Sequence, residues 1–134
     1  MPNFKLEFGK FFEDQDEKLE TGKFTRIVIA DNLQLAERIA KAMVGEEIYA
    51  NECLTDPVTV TETEEEPEIS SWNEDETWKR IIENMGLSER SIEFIFNSRP
   101  KVVVSVPVKT SSGLRYIDHK DTVTEKVGIR LKKN

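Results

Sequence analysis

Carboxylates are the most concentrated reactive side chains in this sequence of 134 residues. Residues 42–78 carry 12 acidic and no basic side chains, and the densest part is the run TETEEEPE, Thr61–Glu68. Carboxylate oxygens could bind a hard cation, but the run lacks the Asp or Asn spacing and the glycine that shape a calcium-binding loop. Any cation would be held loosely there, so we predict no metal site and no cofactor.

The same carboxylates could instead bind a protein partner that has a basic surface. Trp72 follows the run and would add a hydrophobic anchor to the electrostatic attraction. The residues predicted to bind such a partner are Glu62, Glu64, Glu65, Glu66, Glu68 and Trp72. Two other interpretations stay open. The run is a solvated loop that favours solubility, or it folds over the basic C-terminal residues Lys109, Arg115, Lys126 and Arg130.

Few residues are candidates for catalysis. His119 is the only histidine, and general-base chemistry would need a nucleophile and a pocket that the sequence does not identify. The triplet Asp118–Lys120 resembles the second half of the PD-(D/E)xK nuclease motif, in which carboxylates hold Mg²⁺ and a lysine activates water. The acid that this motif requires upstream is missing between Asn97 and Ile117. With one cysteine and one histidine, a zinc site is not expected either. We therefore predict no catalytic residues and a protein that is not an enzyme.

The segment around Gly86 resembles the helix-turn-helix of bacterial and phage repressors. Apolar residues stand at the positions that such a motif requires on both sides of the glycine, and they are Ile81, Met85, Leu87, Ile92 and Ile95. The resemblance implies a helix-turn-helix at about 78–99, followed by a β-wing, with Arg90, Asn97 and Arg99 as DNA-binding residues. A second interpretation competes with it, because residues 92–96 also alternate as a strand does.

Bulk composition limits the class of protein. A chain of this length suits one domain with one hydrophobic core. Cys53 is the only cysteine, so no internal disulfide can form and we predict a reducing, cytoplasmic location. No stretch approaches the roughly 20 apolar residues of a membrane span. The net charge of −7 disfavours non-specific binding to nucleic acid, although residues 79–134, with 12 basic and 6 acidic side chains, leave a local basic face.

Hydrophobic periodicity predicts the elements of the first half. Phe4, Leu6 and Phe8 alternate with charged residues, and FTRIVIA is apolar on both faces, so we expect a hairpin whose turn contains Gly22 at positive φ. The stretch DNLQLAERIAKAMVG predicts a helix that is capped by Asp31 or Asn32 and ends at Gly45. EEIYANECL predicts a strand that is broken at Pro57, after which VTVTE extends or re-enters the sheet.

A second helix is predicted from Asn73 to Gly86. Asn73 with Glu76 forms a capping-box pattern, and the carboxylates that follow Asn73 suit the positive end of the helix dipole. The predicted buried stripe is Trp78, Ile81, Ile82 and Met85. Beyond this helix we expect strands that turn at Asn97–Pro100 and again near His119–Thr122.

These expectations define one architecture and two functions. The predicted fold is a single α+β domain over residues 1–134, with an antiparallel or mixed sheet, two helices on one face, a C-terminal β-meander and an acidic loop at about 61–73. The leading function is a non-enzymatic regulator or inhibitor, of a kind that phages and mobile elements encode, which binds a basic protein. The alternative is a DNA-binding transcriptional regulator. Strand pairing through FTRIVIA or KVVVSVPV would allow homo-oligomers.

Overall fold

The sheet begins with an antiparallel hairpin, β1 (Asn3–Asp14) and β2 (Glu17–Ala30), as predicted. The computed structural model describes residues 1–14, 17–49, 51–67 and 74–132. Phe4, Leu6 and Phe8 alternate with charged residues along β1 and are all buried, so this strand covers the core with one face only. Gly22 has the predicted positive φ. Its predicted position in the connecting turn is wrong, because Gly22 lies inside β2, beside a register shift in the pairing of β1 with β2.

Helix α1 (Leu33–Met43) follows β2 and confirms the prediction for this segment. The Asn32 side chain accepts a hydrogen bond from the Leu35 backbone N–H, which caps the first turn. The predicted stripe, Ala36, Ile39, Ala40 and Met43, is completely buried. Gly45 has positive φ just beyond the helix, as expected of its end.

The next segment forms a tight hairpin instead of one interrupted strand. β3 (Glu47–Tyr49) and β4 (Glu52–Thr63) pair antiparallel on either side of Asn51, which has a φ of 65°. β4 continues through Pro57 and so does not end there, but its pairing with β1 is interrupted around this residue, between Thr55 opposite Gly9 and Thr59 opposite Glu7. Since β4 extends to Thr63, the first residues of the predicted acidic loop belong to a strand.

Helix α2 (Glu74–Asn84) supplies the other large group of core side chains. Trp78, Ile81 and Ile82 are buried as predicted, whereas Met85 is only partly buried. Gly86 has the predicted positive φ. The predicted cap, Asn73, lies outside the described residues.

Two strands of 19 residues each form the C-terminal part, β5 (Ile92–Thr110) and β6 (Gly113–Leu131). They pair antiparallel along their whole length, so the turns predicted at Asn97–Pro100 and near His119–Thr122 are wrong. The helix considered for residues 88–97 is wrong as well. A single 3-10 turn, Glu89–Ser91, leads directly into β5.

The order of the strands in the mixed sheet is β3-β4-β1-β2-β6-β5. Helices α1 and α2 both contribute to the core cluster that contains the buried residues of β1, so the predicted α+β architecture is confirmed. The two halves of the sheet are joined by a short parallel contact, in which Ile29 pairs with Gly128 and Ala30 with Ile129. Among the described residues, the part C-terminal to α2 is therefore attached to the first half through two residue pairs of β2 and β6, through the hydrogen bond from the Leu131 backbone N–H to the Asp31 carboxylate, and through the helices.

Side chains of α2 and α1 strengthen that attachment. The Trp78 indole N–H donates a hydrogen bond to the Lys126 carbonyl of β6 at 3.0 Å, and its ring meets Phe94 of β5 edge to face. The buried Glu46 carboxylate, just beyond α1, accepts two hydrogen bonds from Nε of Arg80 on α2, at 2.9 Å and 3.0 Å. This bond raises the pKa of Arg80 above its usual value, so the guanidinium that neutralises Glu46 is always charged.

Gly128→Ala tests the junction between the two halves of the sheet. A Cβ added at Gly128 would lie 1.8 Å from the Ile29 carbonyl oxygen, so the strands would have to separate. We expect a loss of about 3 kcal/mol or more in the free energy of unfolding, measured by urea denaturation.

Gly113→Ala is the control for this variant. Gly113 has positive φ but open space around it, and it is the first residue of β6, beside the turn from β5. The strain of an alanine at this φ should stay local and cost about 1 kcal/mol, less than the collision at Gly128. Equal losses for the two variants would show that the contact between Ile29 and Gly128 does not limit stability.

Candidate functional site

The acidic segment, residues 62–66, leaves the end of β4 with its carboxylates at the surface. Glu62, Glu64, Glu65 and Glu66 are all exposed. Glu62 belongs to β4, opposite Phe4 in the register with β1, and the other three follow the strand. Of the six residues predicted for partner binding, these four lie together, while Glu68 and Trp72 lie outside the described residues.

The backbone of the acidic segment is attached to the body of the protein. The Asn3 side-chain amide donates a hydrogen bond to the Glu65 carbonyl at 2.9 Å, and the Glu65 N–H donates to the Thr63 hydroxyl at 3.2 Å. Lys5 forms an ion pair with the Glu65 carboxylate at 3.3 Å, and Pro67 is buried directly after the segment. The carboxylates are therefore displayed from a fixed stretch of chain, which differs from the solvated loop considered above.

The basic residues of β6 near the core have other acidic neighbours. Lys126 forms an ion pair with Asp75 of α2 at 3.3 Å, and its ammonium group also lies 4.2 Å from the centre of the Phe94 ring. Arg130 pairs with Glu93 of β5. Within the acidic segment, Glu65 forms an ion pair with Lys5 of β1. The interpretation in which this segment covers Lys126 and Arg130 therefore gains no support.

A cavity of about 490 Å³ opens where β2 and β6 diverge below their junction. Its charged lining is mixed, with Lys5 and Arg26 against Glu7, Glu65 and Glu125. Pro67 closes one side, so the acidic segment borders the cavity. The lining combines carboxylates, two basic groups, the Thr25 hydroxyl and apolar side chains, so it offers polar contacts.

The largest feature that the sequence did not predict is a projecting hairpin, residues 98–124, which we term the arm. Each of its strands pairs with the other, and β6 pairs with β2 only beyond the arm, at Gly128 and Ile129. Apolar side chains on the arm are largely exposed, at 52% for Val104, 51% for Ile117 and 66% for Tyr116. Alternation in KVVVSVPV predicted a strand correctly, but a pattern of residue types does not tell whether anything covers that strand.

The prolines of the arm lie on the outer strand of the sheet. Pro100 and Pro107 belong to β5, which is an edge strand, and a register shift between Val102 and Val104 interrupts the same strand. A proline has no N–H to donate, so β5 is poorly suited to pairing with another strand. The predicted homo-oligomer through pairing of KVVVSVPV is therefore disfavoured. FTRIVIA lies in β2, which pairs with β1 on one side and with β6 on the other at Ile29 and Ala30 only, so its pairing with a second copy stays a prediction.

The possible nuclease residues lie on the arm and do not form a pocket. Asp118, His119 and Lys120 are all exposed, and because side chains alternate along a strand, His119 faces away from the other two. Asp118 accepts a hydrogen bond from the Ser105 hydroxyl at 2.6 Å. Over the described residues, no group of three or more His, Cys, Asp or Glu side chains could hold a metal ion.

The residues predicted for DNA binding are not on a common helix. Arg90 is exposed in the 3-10 turn, whereas Asn97 and Arg99 lie in β5, opposite Glu125 and Val123 of β6. Base contacts from a recognition helix require side chains on one helical face in the major groove. The helix-turn-helix prediction is thus wrong in structure, and binding of DNA by other means stays a separate hypothesis.

Comparison with protein-family models, with curated proteins and with solved structures gives no match for this chain. Function must therefore be inferred from the surfaces themselves. Two of them differ from an ordinary solvated surface: the acidic segment, which is fixed and strongly charged, and the arm, which is long and partly apolar.

Asn3→Ala tests whether the body holds the acidic segment. Loss of the hydrogen bond to the Glu65 carbonyl should speed amide hydrogen exchange at residues 64–66 several-fold, while global stability changes by less than about 1 kcal/mol. Asn32→Ala is the control, because it removes the cap of α1 and should cost about 1 kcal/mol without affecting exchange in the segment. Unchanged exchange in Asn3→Ala would show that the segment is held by other contacts.

Proposed function

We propose that this protein is a non-enzymatic regulator or inhibitor that binds a basic protein partner through its acidic segment. The observation that carries the proposal is the fixed display of Glu62, Glu64, Glu65 and Glu66, all exposed on a stretch whose backbone is bound by Asn3. A backbone held before binding loses less conformational entropy on binding, so the segment should bind more tightly than the same charges on a free loop.

The charge distribution supports a basic partner. Acidic residues elsewhere have structural roles, since Glu46 neutralises Arg80 and Asp75 pairs with Lys126. Four glutamates within five residues repel one another, and Lys5 pairs with Glu65. A partner with a basic surface would relieve this repulsion, and the field of the segment would speed its approach.

An absence of catalytic activity is part of the proposal. The residues with catalytic potential, Asp118, His119 and Lys120, are distributed over both faces of the arm, away from the lining of the cavity. The cavity itself is bordered by the acidic segment, so a side chain of the partner could enter it and meet Glu7 or Glu125. This would extend the contact beyond the segment.

We further propose a cytoplasmic location. In the described ranges neither α1 nor α2, with 11 residues each, is long and apolar enough to cross a membrane. Cys53, the lone cysteine, is partly buried in β4. The argument for a reducing compartment rests on cysteine usage.

The triple variant Glu62→Gln, Glu64→Gln and Glu66→Gln tests the proposed function. It leaves Glu65, which pairs with Lys5, in place. With a fluorescent ten-lysine peptide as the probe, we expect binding about tenfold weaker than that of the native protein, since three charge contacts at about 0.5 kcal/mol each are removed. The measurement is fluorescence anisotropy at low salt.

The matched control variant is Glu37→Gln, Glu83→Gln and Glu89→Gln. These residues are also exposed, and the control removes the same charge from α1, α2 and the 3-10 turn. Its affinity for the probe should fall less than about threefold, because only the long-range field changes. Equal losses for the two triple variants would mean that net charge alone attracts the peptide, and the proposed site would be wrong.

A mobility-shift assay with duplex DNA at low salt tests the alternative function. We expect no shift, because the recognition helix is absent and the chain has a net charge of −7. A shift that Arg90→Ala and Arg99→Ala abolish would contradict the proposed function and favour a DNA-binding regulator.

A further inference from the structure

One face of the arm combines an apolar stripe with two opposite charges. Residues that pair directly across an antiparallel ribbon share a face, and Val104 pairs with His119, Val106 with Ile117 and Val108 with Arg115. Asp121, two residues beyond His119 on the same strand, also lies on this face. We term this surface the valine face, and its described residues are Val104, Val106, Val108, Arg115, Ile117, His119 and Asp121.

An exposed valine face is unfavourable for an isolated ribbon. Val104, Val106 and Ile117 are exposed at 52%, 37% and 51%. Two-stranded hairpins without a third strand or a covering layer are marginally stable in water, and the arm extends over 27 residues. Burial of these β-branched side chains would stabilise the arm, so a covering surface is expected.

We propose that the valine face binds the valine face of a second copy of this chain, with the two arms antiparallel around a two-fold axis. The axis would pass near position 118 of β6. Each Ile117 would then lie against His119 of the other copy, and each Arg115 would face the other copy's Asp121. The bodies of the two copies would lie at opposite ends of the paired arms.

The spacing of the charges selects a second copy as the partner. Arg115 and Asp121 are six residues apart on the same strand, about 20 Å, so they do not pair with each other within one arm. They lie symmetrically about position 118, and a two-fold axis there forms both cross pairs at once.

The apolar stripe disfavours a nucleic acid on this face. Lys109 and Lys120 lie on the opposite face. Phosphate binding to the valine face would leave the valines in contact with a polar ligand.

The size of the valine face predicts a reversible dimer. The stretch from Arg115 to Asp121 is about 20 Å long, and a two-stranded ribbon is about 10 Å wide. Two such faces bury less than the roughly 800 Å² per partner of typical stable complexes. We therefore expect association in the micromolar range, which sedimentation equilibrium can follow.

Charge reversal at the two ends of the valine face tests the dimer. Arg115→Asp places like charges against Asp121 of the other copy, and Asp121→Arg does the same against Arg115. Each single variant should dimerise at least about tenfold more weakly than the native protein, since two attractive contacts become repulsive. An equimolar mixture of the two variants should associate again, within about threefold of the native constant, because both cross pairs are restored in the mixed dimer.

Lys109→Asp is the matched control for Arg115→Asp. It makes the same change of charge near the turn of the arm but on the opposite face, and it should change the dimer constant less than about threefold. The acidic-segment triple variant should dimerise as the native protein does, so this test is independent of the proposed function. A native protein that stays monomeric up to about 500 µM would overturn the proposal. So would a mixture that does not regain association.

Discussion

The whole structure depends on the close approach of two backbones where Ile29 of β2 meets Gly128 of β6. This parallel contact of two residue pairs is all the direct strand pairing between the two halves of the sheet. A side chain at position 128 would collide with the Ile29 carbonyl, so the residue type at this point is determined by the approach itself. Helix α2 then secures the junction, because Trp78 binds the Lys126 carbonyl only two residues away.

Acidic and basic residues are concentrated in different parts of the fold. The acidic stretch, residues 42–78, includes β4 and the first part of α2, whereas the more basic residues 79–134 include β5 and β6. Where the two halves meet, opposite charges pair directly, as between Asp75 and Lys126. The glutamates of the acidic segment lie away from this contact and repel one another. Charge that stabilises the junction can thus be separated from charge that is available to a partner.

Sequence patterns predict an element well when it depends on residues that are close together in the sequence. Periodicity identified β1 and α1, and Asn32 caps α1 through its own side chain. The turn predicted at Asn97–Pro100 is wrong because a proline in the sequence usually indicates the end of a strand. Pro100 and Pro107 are tolerated because β5 is an edge strand, and the position of a strand in the sheet is not a local property.

The candidate sites show the same limit. The acidic segment could be predicted from composition, since four glutamates need no fold to be recognised as a charged surface. Its attachment through Asn3 joins residues 62 positions apart in the sequence, and no local pattern reports such a contact. The arm was missed for a related reason. An alternating strand is expected to cover a core, and only the register of β5 and β6 shows that this one extends beyond it.

The two edges of the sheet have a consequence for solubility. At one edge β3 has only three residues, and at the other β5 carries two prolines and a register shift. Neither β3 nor β5 offers a long uninterrupted row of donors and acceptors to an incoming strand, whereas β6 along the arm and most of β2 have one side without a paired strand among the described residues. The short β3 and the prolines of β5 thereby limit pairing between copies at these two edges, even though more than half of the chain is β-strand and the arm displays apolar side chains.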